Sequence, residues 1–334
     1  MGNTSIEWTE RTWNPVRGCS LAPGSEAGGC LNCYAARMAA RNLPGMASPS
    51  TGEPFAVLRP SGPRWTGAVE LIESLLDVPL KRRRPTTWFV NSMSDLFHES
   101  LSDKAIARVF AVMALCPQHT FQVLTKRADR MLQWASSDSQ PSGINEAIRQ
   151  MMRDGKIARY PECEFPWAPW PLPNVRLGVS CENQPTADAR IPHLLQTPAA
   201  VRFISAEPLL GPVDLGLNRW VRLPRPVISE LPFPPIPYAE KGIYRATANP
   251  HGALAVPAAV SGELLGVKPG EFERLPSLDW VIVGGESGPG ARPMDPQWAR
   301  SIRGQCVSAN VPFFFKQWGE WLGAEQDGGI VDGV

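Results

Sequence analysis

With 334 residues the chain is long enough for one large domain or two small ones, and it can bury a sizeable core. Its 33 basic and 32 acidic residues leave a formal charge of +1, which excludes a global field steering the molecule to nucleic acid or membrane. No apolar stretch approaches the ~20 residues of a membrane span, and the start MGNTSIEWTERTW lacks the segments of a secretory leader, so a cytoplasmic protein with no membrane partner is expected.

Gly2 followed by Ser5 formally fits a myristoylation pattern, a motif too short to carry weight. Seven cysteines is an odd number, and Cys116, Cys163, Cys181 and Cys306 are scattered. That pattern points to free thiols in a reducing compartment rather than a disulfide framework. The 35 prolines are about twice the usual share and crowd into 161–173 and 208–257, as expected for ordered but irregular insertions.

In chain order, a first strand is expected near 12–16, ahead of the cysteine-rich stretch. The run Lys81-Arg82-Arg83-Arg84 reads either as a solvated helix end or as a phosphate-binding edge. Short apolar runs then recur at 88–90, 121–124, 175–179, 201–204, 280–283 and 313–315, each followed by a polar turn. They are too short for helices and lack strict alternation, which suits parallel strands buried on both faces. Ser102 can cap a helix whose Ile106, Val109, Phe110 and Met113 follow i, i+3, i+4, i+7 spacing, stopped by Pro117. Asp295-Pro296 starts another, with Trp298 and Ile302 facing the core and Asn310 and Pro312 ending it.

This rhythm predicts an α/β fold: one (β/α) barrel, partial or complete, with about six or seven parallel strands over residues 1–334. Residues 218–277 break the rhythm with a proline-rich run and form an insertion within that domain, either a lid or substrate element or a plain spacer.

The informative stretch is Trp13-Asn14-Pro15-Val16-Arg17-Gly18-Cys19, a glycine- and proline-rich loop, and then Cys30-Leu31-Asn32-Cys33-Tyr34-Ala35. The C-x₂-C spacing of Cys30 and Cys33 lets two thiolates reach one centre from a single turn, and Cys19 can fold back to join them. Three thiolates on a cubane cluster leave one iron free for a bidentate amino-acid ligand such as the amino and carboxylate groups of methionine. Structural zinc is the competing reading and needs a fourth ligand, for which His98 is a candidate. Unliganded core cysteines are a third.

These residues resemble the radical SAM superfamily. The set TWNPVRGC, CLNCYA, WFVNSMSDLFHE, VLTKR, GVSCENQ, ISAEPLLGP, WVIVGGESG and FFFKQWG is similar to the phage-associated three-cysteine-motif family, from about Ile6 to Trp321 outside the insertion. The chain departs from the superfamily in its cysteine spacing, with ten residues between Cys19 and Cys30. It also has Asn91-Ser92-Met93-Ser94-Asp95 where Gly-Gly-Glu is usual after strand two.

The resemblance implies a 4Fe–4S cluster on Cys19, Cys30 and Cys33 that cleaves S-adenosylmethionine (SAM) to methionine and a 5′-deoxyadenosyl radical. It implies Tyr34 on the adenine, unless that ring is simply core. Asn91, Ser92, Ser94 and Asp95 would take SAM's amino group, Lys126 and Arg127 its carboxylate, and Ser180, Glu182 and Asn183 the ribose. Glu207 and Glu286 end buried strands and are the catalytic candidates. An electron donor such as flavodoxin or ferredoxin is implied, in a phage-encoded protein or the host cytoplasm.

Phage context and a distant likeness to spore photoproduct lyase suggest a nucleic-acid base or nucleotide as substrate. The insertion and Arg82, Arg83 and Arg84 are then expected at the rim. A peptide or small metabolite is the alternative substrate, and a non-catalytic zinc- or cluster-bearing binding protein with a partner encoded nearby is the alternative function.

Overall fold

A computed structural model of the chain describes residues 4, 6–25, 28–41, 45–137, 140–155, 169–217 and 278–320. The expected insertion at 218–277 and Cys163 lie outside the described residues.

The chain opens with β1 (Arg11–Trp13), which stops at Asn14-Pro15, and a two-residue strand β2 (Val16–Arg17). A short helix α1 (Tyr34–Ala39) follows the third cysteine. Next come the hairpin β3 (Ala56–Arg59) and β4 (Gly62–Trp65), and then β5 (Glu70–Leu71), antiparallel to β2. The sequence rhythm gave no warning of these small strands, because each is too short to show a period.

From there the chain alternates: β6 (Thr87–Val90), α2 (Asp103–Ala114), β7 (Thr120–Thr125), α3 (Ala128–Ala135), α4 (Gln140–Arg153), β8 (Val175–Ser180), α5 (Gln184–Gln196) and β9 (Val201–Ala206). It resumes with β10 (Trp280–Gly284), α6 (Pro296–Ala309) and β11 (Phe313–Gln317). All six expected runs are strands.

Seven strands form one sheet in the order β1-β6-β7-β8-β9-β10-β11, every pair parallel. Spatial order equals chain order, and among the described residues β1 and β11 each have one strand neighbour. Over the described residues the sheet is therefore open, an arrangement compatible with a partial (β/α) barrel.

Local chemistry explains the helices. Ser102 accepts from the Ala105 amide at 3.2 Å and caps α2, whose Ile106, Val109, Phe110 and Met113 are all buried. Phe110 also lies 4.5 Å from the Trp134 ring of α3. Truncating Phe110 to Ala would cost about 3–5 kcal/mol through lost burial and the cavity left behind. Asp295 accepts from Gln297 at 2.8 Å to start α6, and Asn310 closes it in the left-handed conformation (φ 54°). Ile302 is buried, and Trp298 packs against the same core.

One face of the sheet meets the helices through Val90, Val123, Leu177, Val179, Ile204 and Val283. On the other, Trp8 lies 4.7 Å from the Phe89 ring and 6.4 Å from those of Phe203 and Trp280. Gly178 makes room there, since a Cβ at that position would sit 2.5 Å from the Phe203 ring.

The basic run corrects an expectation. Arg82 donates to Thr86 Oγ1, immediately before β6, and its carbonyl accepts from Gln118 at 3.4 Å, just before β7. Arg82, Arg83 and Arg84 thus sit at the N-terminal ends of the strands, opposite the edge that carries the cysteines.

Candidate functional site

Because every strand of the sheet points the same way, the residues just past their C-terminal ends share one edge. Asn91 follows β6, Lys126 follows β7, Ser180 ends β8, Glu207 follows β9 and Glu286 lies just beyond β10. Gly18, beside Cys19, forms a parallel bridge with Ser94, which brings the first thiol to this edge.

The second and third cysteines arrive on a loop docked directly onto the strand ends. Asn32 donates to Glu286 Oε2 at 3.2 Å and to the Gly290 carbonyl at 2.7 Å. Arg292 donates to the Gly28 carbonyl at 3.0 Å while pairing with Glu286 at 2.6 Å. Gly29 is a close approach: a Cβ there would lie 2.8 Å from Pro208 and 3.2 Å from both Glu182 Oε1 and Lys126 Nζ. Tyr34 donates its hydroxyl to the Ser92 carbonyl at 2.6 Å and leaves its ring half exposed.

The three thiols are near enough to feel one another. Burial first, then the Asp95 carboxylate, pushes the Cys19 thiol up to about 12; Cys33 and Cys30 add to this and Arg127 opposes it. Burial also raises Cys33, offset in part by the Ala36 and Ala35 amides of α1 and by a hydrogen bond with Trp65. Metal loading at this loop would therefore displace protons. Burial lowers the Lys126 ammonium against the pull of the nearby Cys30 thiol.

Several expected SAM-binding groups are already engaged within the chain. Asp95 is buried and accepts four hydrogen bonds: Thr125 Oγ1 at 2.6 Å, the Phe97 and Lys126 amides at 3.0 Å each, and Arg127 Nη1 at 3.3 Å. Ser92 donates to Asn14 at 3.1 Å and Ser94 to the Val16 carbonyl at 2.8 Å. Asn183 caps α5 through the Thr186 amide at 3.1 Å. Glu182 is fully buried between Lys126 Nζ and Arg190 Nη1, the latter at 2.8 Å. The Ser180 carbonyl accepts from the same guanidinium at 2.8 Å.

Asn91 sits in the left-handed region (φ 60°), and its Nδ2 is buried with no partner among the described residues. Glu207 pairs with Lys316 from the end of β11, and both side chains keep some exposure. A cavity of about 80 Å³ beside Gly18 is lined by Asn14, Arg17, Met46, Phe55, Trp65 and Met93. It is smaller than the roughly 300 Å³ of an ordinary small-molecule site.

Sequence reasoning missed Asn32, Arg190, Arg292 and Lys316. Each acts through a partner distant in sequence or on another element, and no local pattern marks such pairs. His98 does reach the cysteine loop, but both ring nitrogens are occupied. Nδ1 accepts from the Ser100 amide at 3.1 Å, so the neutral ring carries its proton on Nε2, 2.8 Å from Ser20 Oγ. Burial, then the Arg127 charge, lowers the imidazole's pKa and favours that neutral form. Among the described residues no three His, Cys, Asp or Glu side chains converge on a point that would hold a single metal ion. The other free thiols among the described residues, Cys116, Cys181 and Cys306, are buried. No helix among the described residues is long and apolar enough to cross a membrane.

No curated protein and no solved structure matches the chain. A family model described as "Protein of unknown function (DUF5131)" matches residues 3–330, a span that takes in the whole sheet and the cysteine loop, and the chain belongs to that family.

Proposed function

We propose that the protein is a radical SAM enzyme, in which Cys19, Cys30 and Cys33 hold a 4Fe–4S cluster at the C-terminal edge of the sheet. The observation that carries this reading is that one glycine-rich loop brings Cys19, Cys30 and Cys33 to the edge where the polar ends of five parallel strands lie. Single-ion zinc needs four donors converging on one point. His98, the candidate fourth ligand, has both ring nitrogens hydrogen-bonded within the chain. A cubane takes each thiolate on a different iron, so the three need only surround it.

Once reduced by an external electron donor, a cluster held there would supply the electron that splits SAM into methionine and a 5′-deoxyadenosyl radical. The chain's residues bind and orient. Lys126 is the better partner for the SAM carboxylate, because its ammonium keeps N–H donors beyond the one given to Glu182, whereas all those of Arg127 meet acceptors within the chain. The exposed Tyr34 ring suits the adenine. Asn91 Nδ2 offers a donor without a partner among the described residues. Glu286 holds the cysteine loop through Asn32 and Arg292, which leaves Glu207, paired with Lys316, to orient a substrate group. The substrate class is a nucleic-acid base or nucleotide, a choice that rests on the family resemblance.

The test is anaerobic reconstitution of the full chain with iron and sulfide, then dithionite and SAM, with chromatography for 5′-deoxyadenosine. About four irons and four sulfides per chain, with 5′-deoxyadenosine released, are expected. Stoichiometric zinc without iron overturns the reading. An intact cluster without SAM cleavage makes the protein a cluster-bearing binding protein instead.

A further inference from the structure

The guanidinium of Arg127 has five N–H donors, and in this structure all five meet an acceptor. Nε donates to Glu99 Oε2 at 2.6 Å. Nη1 donates to Asp95 Oδ2 at 3.3 Å and reaches Cys19 Sγ at 4.0 Å. Nη2 donates to the Ser20 hydroxyl at 2.9 Å and the Ser20 carbonyl at 3.4 Å.

The surroundings hold each contact in place. Asp95 is fixed by Thr125 and two backbone amides. The Ser20 hydroxyl accepts from Arg127 and His98 and donates to Glu99 at 3.2 Å, so its three hydrogen-bonding positions are filled. Arg127 is 4% exposed, which removes water as a competitor.

We infer that Arg127 is a positioning residue for the Cys19 corner of the cluster and sets how readily that cluster accepts an electron. The inference rests on the cluster reading above and replaces the expected role of Arg127 on the SAM carboxylate. Two physical effects combine. The forked contacts to both Ser20 oxygens fix the residue next to Cys19, and therefore the thiolate's direction. The buried cation beside that sulfur also favours the form carrying one more negative charge, since hydrogen bonds and charge at the sulfurs set such potentials. Asp95 and Glu99 offset part of that charge. Removing Glu99 should therefore act in the opposite sense to removing Arg127, and more weakly, because Glu99 is 63% exposed on its side chain.

The experiment compares full-length wild type, Arg127→Gln, Arg127→Lys and Glu99→Gln after anaerobic reconstitution with iron and sulfide. Iron and sulfide content give occupancy. A dye-mediated titration with dithionite, read by electron paramagnetic resonance, gives the one-electron potential. Arg127→Gln should lower occupancy and shift the oxidised-to-reduced ratio at fixed poise at least tenfold toward oxidised, about 59 mV for one electron. Arg127→Lys should recover most of the potential but not the occupancy, because the charge survives and the fork does not. Glu99→Gln should shift the ratio a few-fold toward reduced. Arg127→Gln with wild-type occupancy and potential overturns the inference. Should Arg127→Gln fail to fold, an unchanged potential in Glu99→Gln overturns it instead. Wild type that takes up no iron and sulfide removes the cluster reading itself and this inference with it, whereas a loaded wild type with indifferent variants removes the inference alone.

Discussion

Asn32, two residues past Cys30, donates its side-chain amide to the Glu286 carboxylate across 254 positions of sequence. That one contact ties the cysteine loop to the end of β10. Together with Arg292, which holds both Glu286 and the Gly28 carbonyl, it makes the loop part of the sheet's edge rather than a free surface turn. Four expected outcomes follow from this arrangement.

Cys19→Ala, Cys30→Ala and Cys33→Ala should each abolish iron and sulfide loading, because each removes one of the three ligands proposed for the cluster. Cys116→Ala, Cys181→Ala and Cys306→Ala should load normally. All three are buried, so some loss of stability, roughly 1 kcal/mol, is expected from the lost packing. Iron and sulfide assays with absorbance near ~400 nm distinguish the two groups. Loading by any variant of the first group would show that its cysteine is not a ligand.

Gly29→Ala should weaken cluster loading while the fold persists. The new Cβ would lie 2.8 Å from the Pro208 ring, which cannot swing aside as a flexible side chain would, so the loop must lift from the strand ends. Gly304→Ala, in the middle of α6 with open space around it, is the control. It should leave loading unchanged and stabilise the chain by up to about 1 kcal/mol. Thermal melts and iron content, measured side by side, separate the effects.

Arg292→Ala should cost roughly 1.5–3 kcal/mol, since it strips charged hydrogen bonds from a buried carboxylate. Burial alone would raise the Glu286 carboxyl, but hydrogen bonds from Arg292 and Asn32 outweigh it and hold the group below its ordinary value of 4.5. A depressed carboxylate contributes stability that is fully present above its unfolded pKa and is lost as pH falls through its folded pKa. The stability gap between wild type and Glu286→Gln should therefore be constant near neutrality and shrink below about pH 4.5. Denaturant titrations at pH 7 and in that acid range measure it. A gap that widens on acidification would contradict the assignment.

Replacing Arg82, Arg83 and Arg84 together with Ala should leave any nucleotide or single-stranded DNA affinity at the cysteine edge unchanged. The run lies at the strands' N-terminal ends, with Arg82 held to Thr86 and Gln118. Phosphate contacts made elsewhere would still weaken with salt. Fluorescence anisotropy at low salt is the measurement. A loss of affinity in the triple variant would place the nucleic-acid surface on the opposite edge.

Much of the scaffold was legible in the amino-acid order, because its signals are local. A run such as Trp88-Phe89-Val90 needs only its own residues to declare a buried strand. Ser102 and Asp295 announce their helices by serving their own next few amides. The cysteine triad is local too: three thiols within fifteen residues, with C-x₂-C at the end. What only the tertiary structure decided is which polar groups are spent. Asp95 and Arg127 read as ligand-binding residues at strand ends, yet their hydrogen-bonding capacity is consumed by Thr125, Glu99 and Ser20. The basic run's edge, the open edges of the sheet at β1 and β11 among the described residues, and the clasp of Asn32 on Glu286 were likewise hidden. The reason is physical: a helix or strand is chosen by energies summed over near neighbours. The pairing of buried charges is chosen by which strand ends the topology brings within ~3 Å of one another, and that is a property of the folded chain alone.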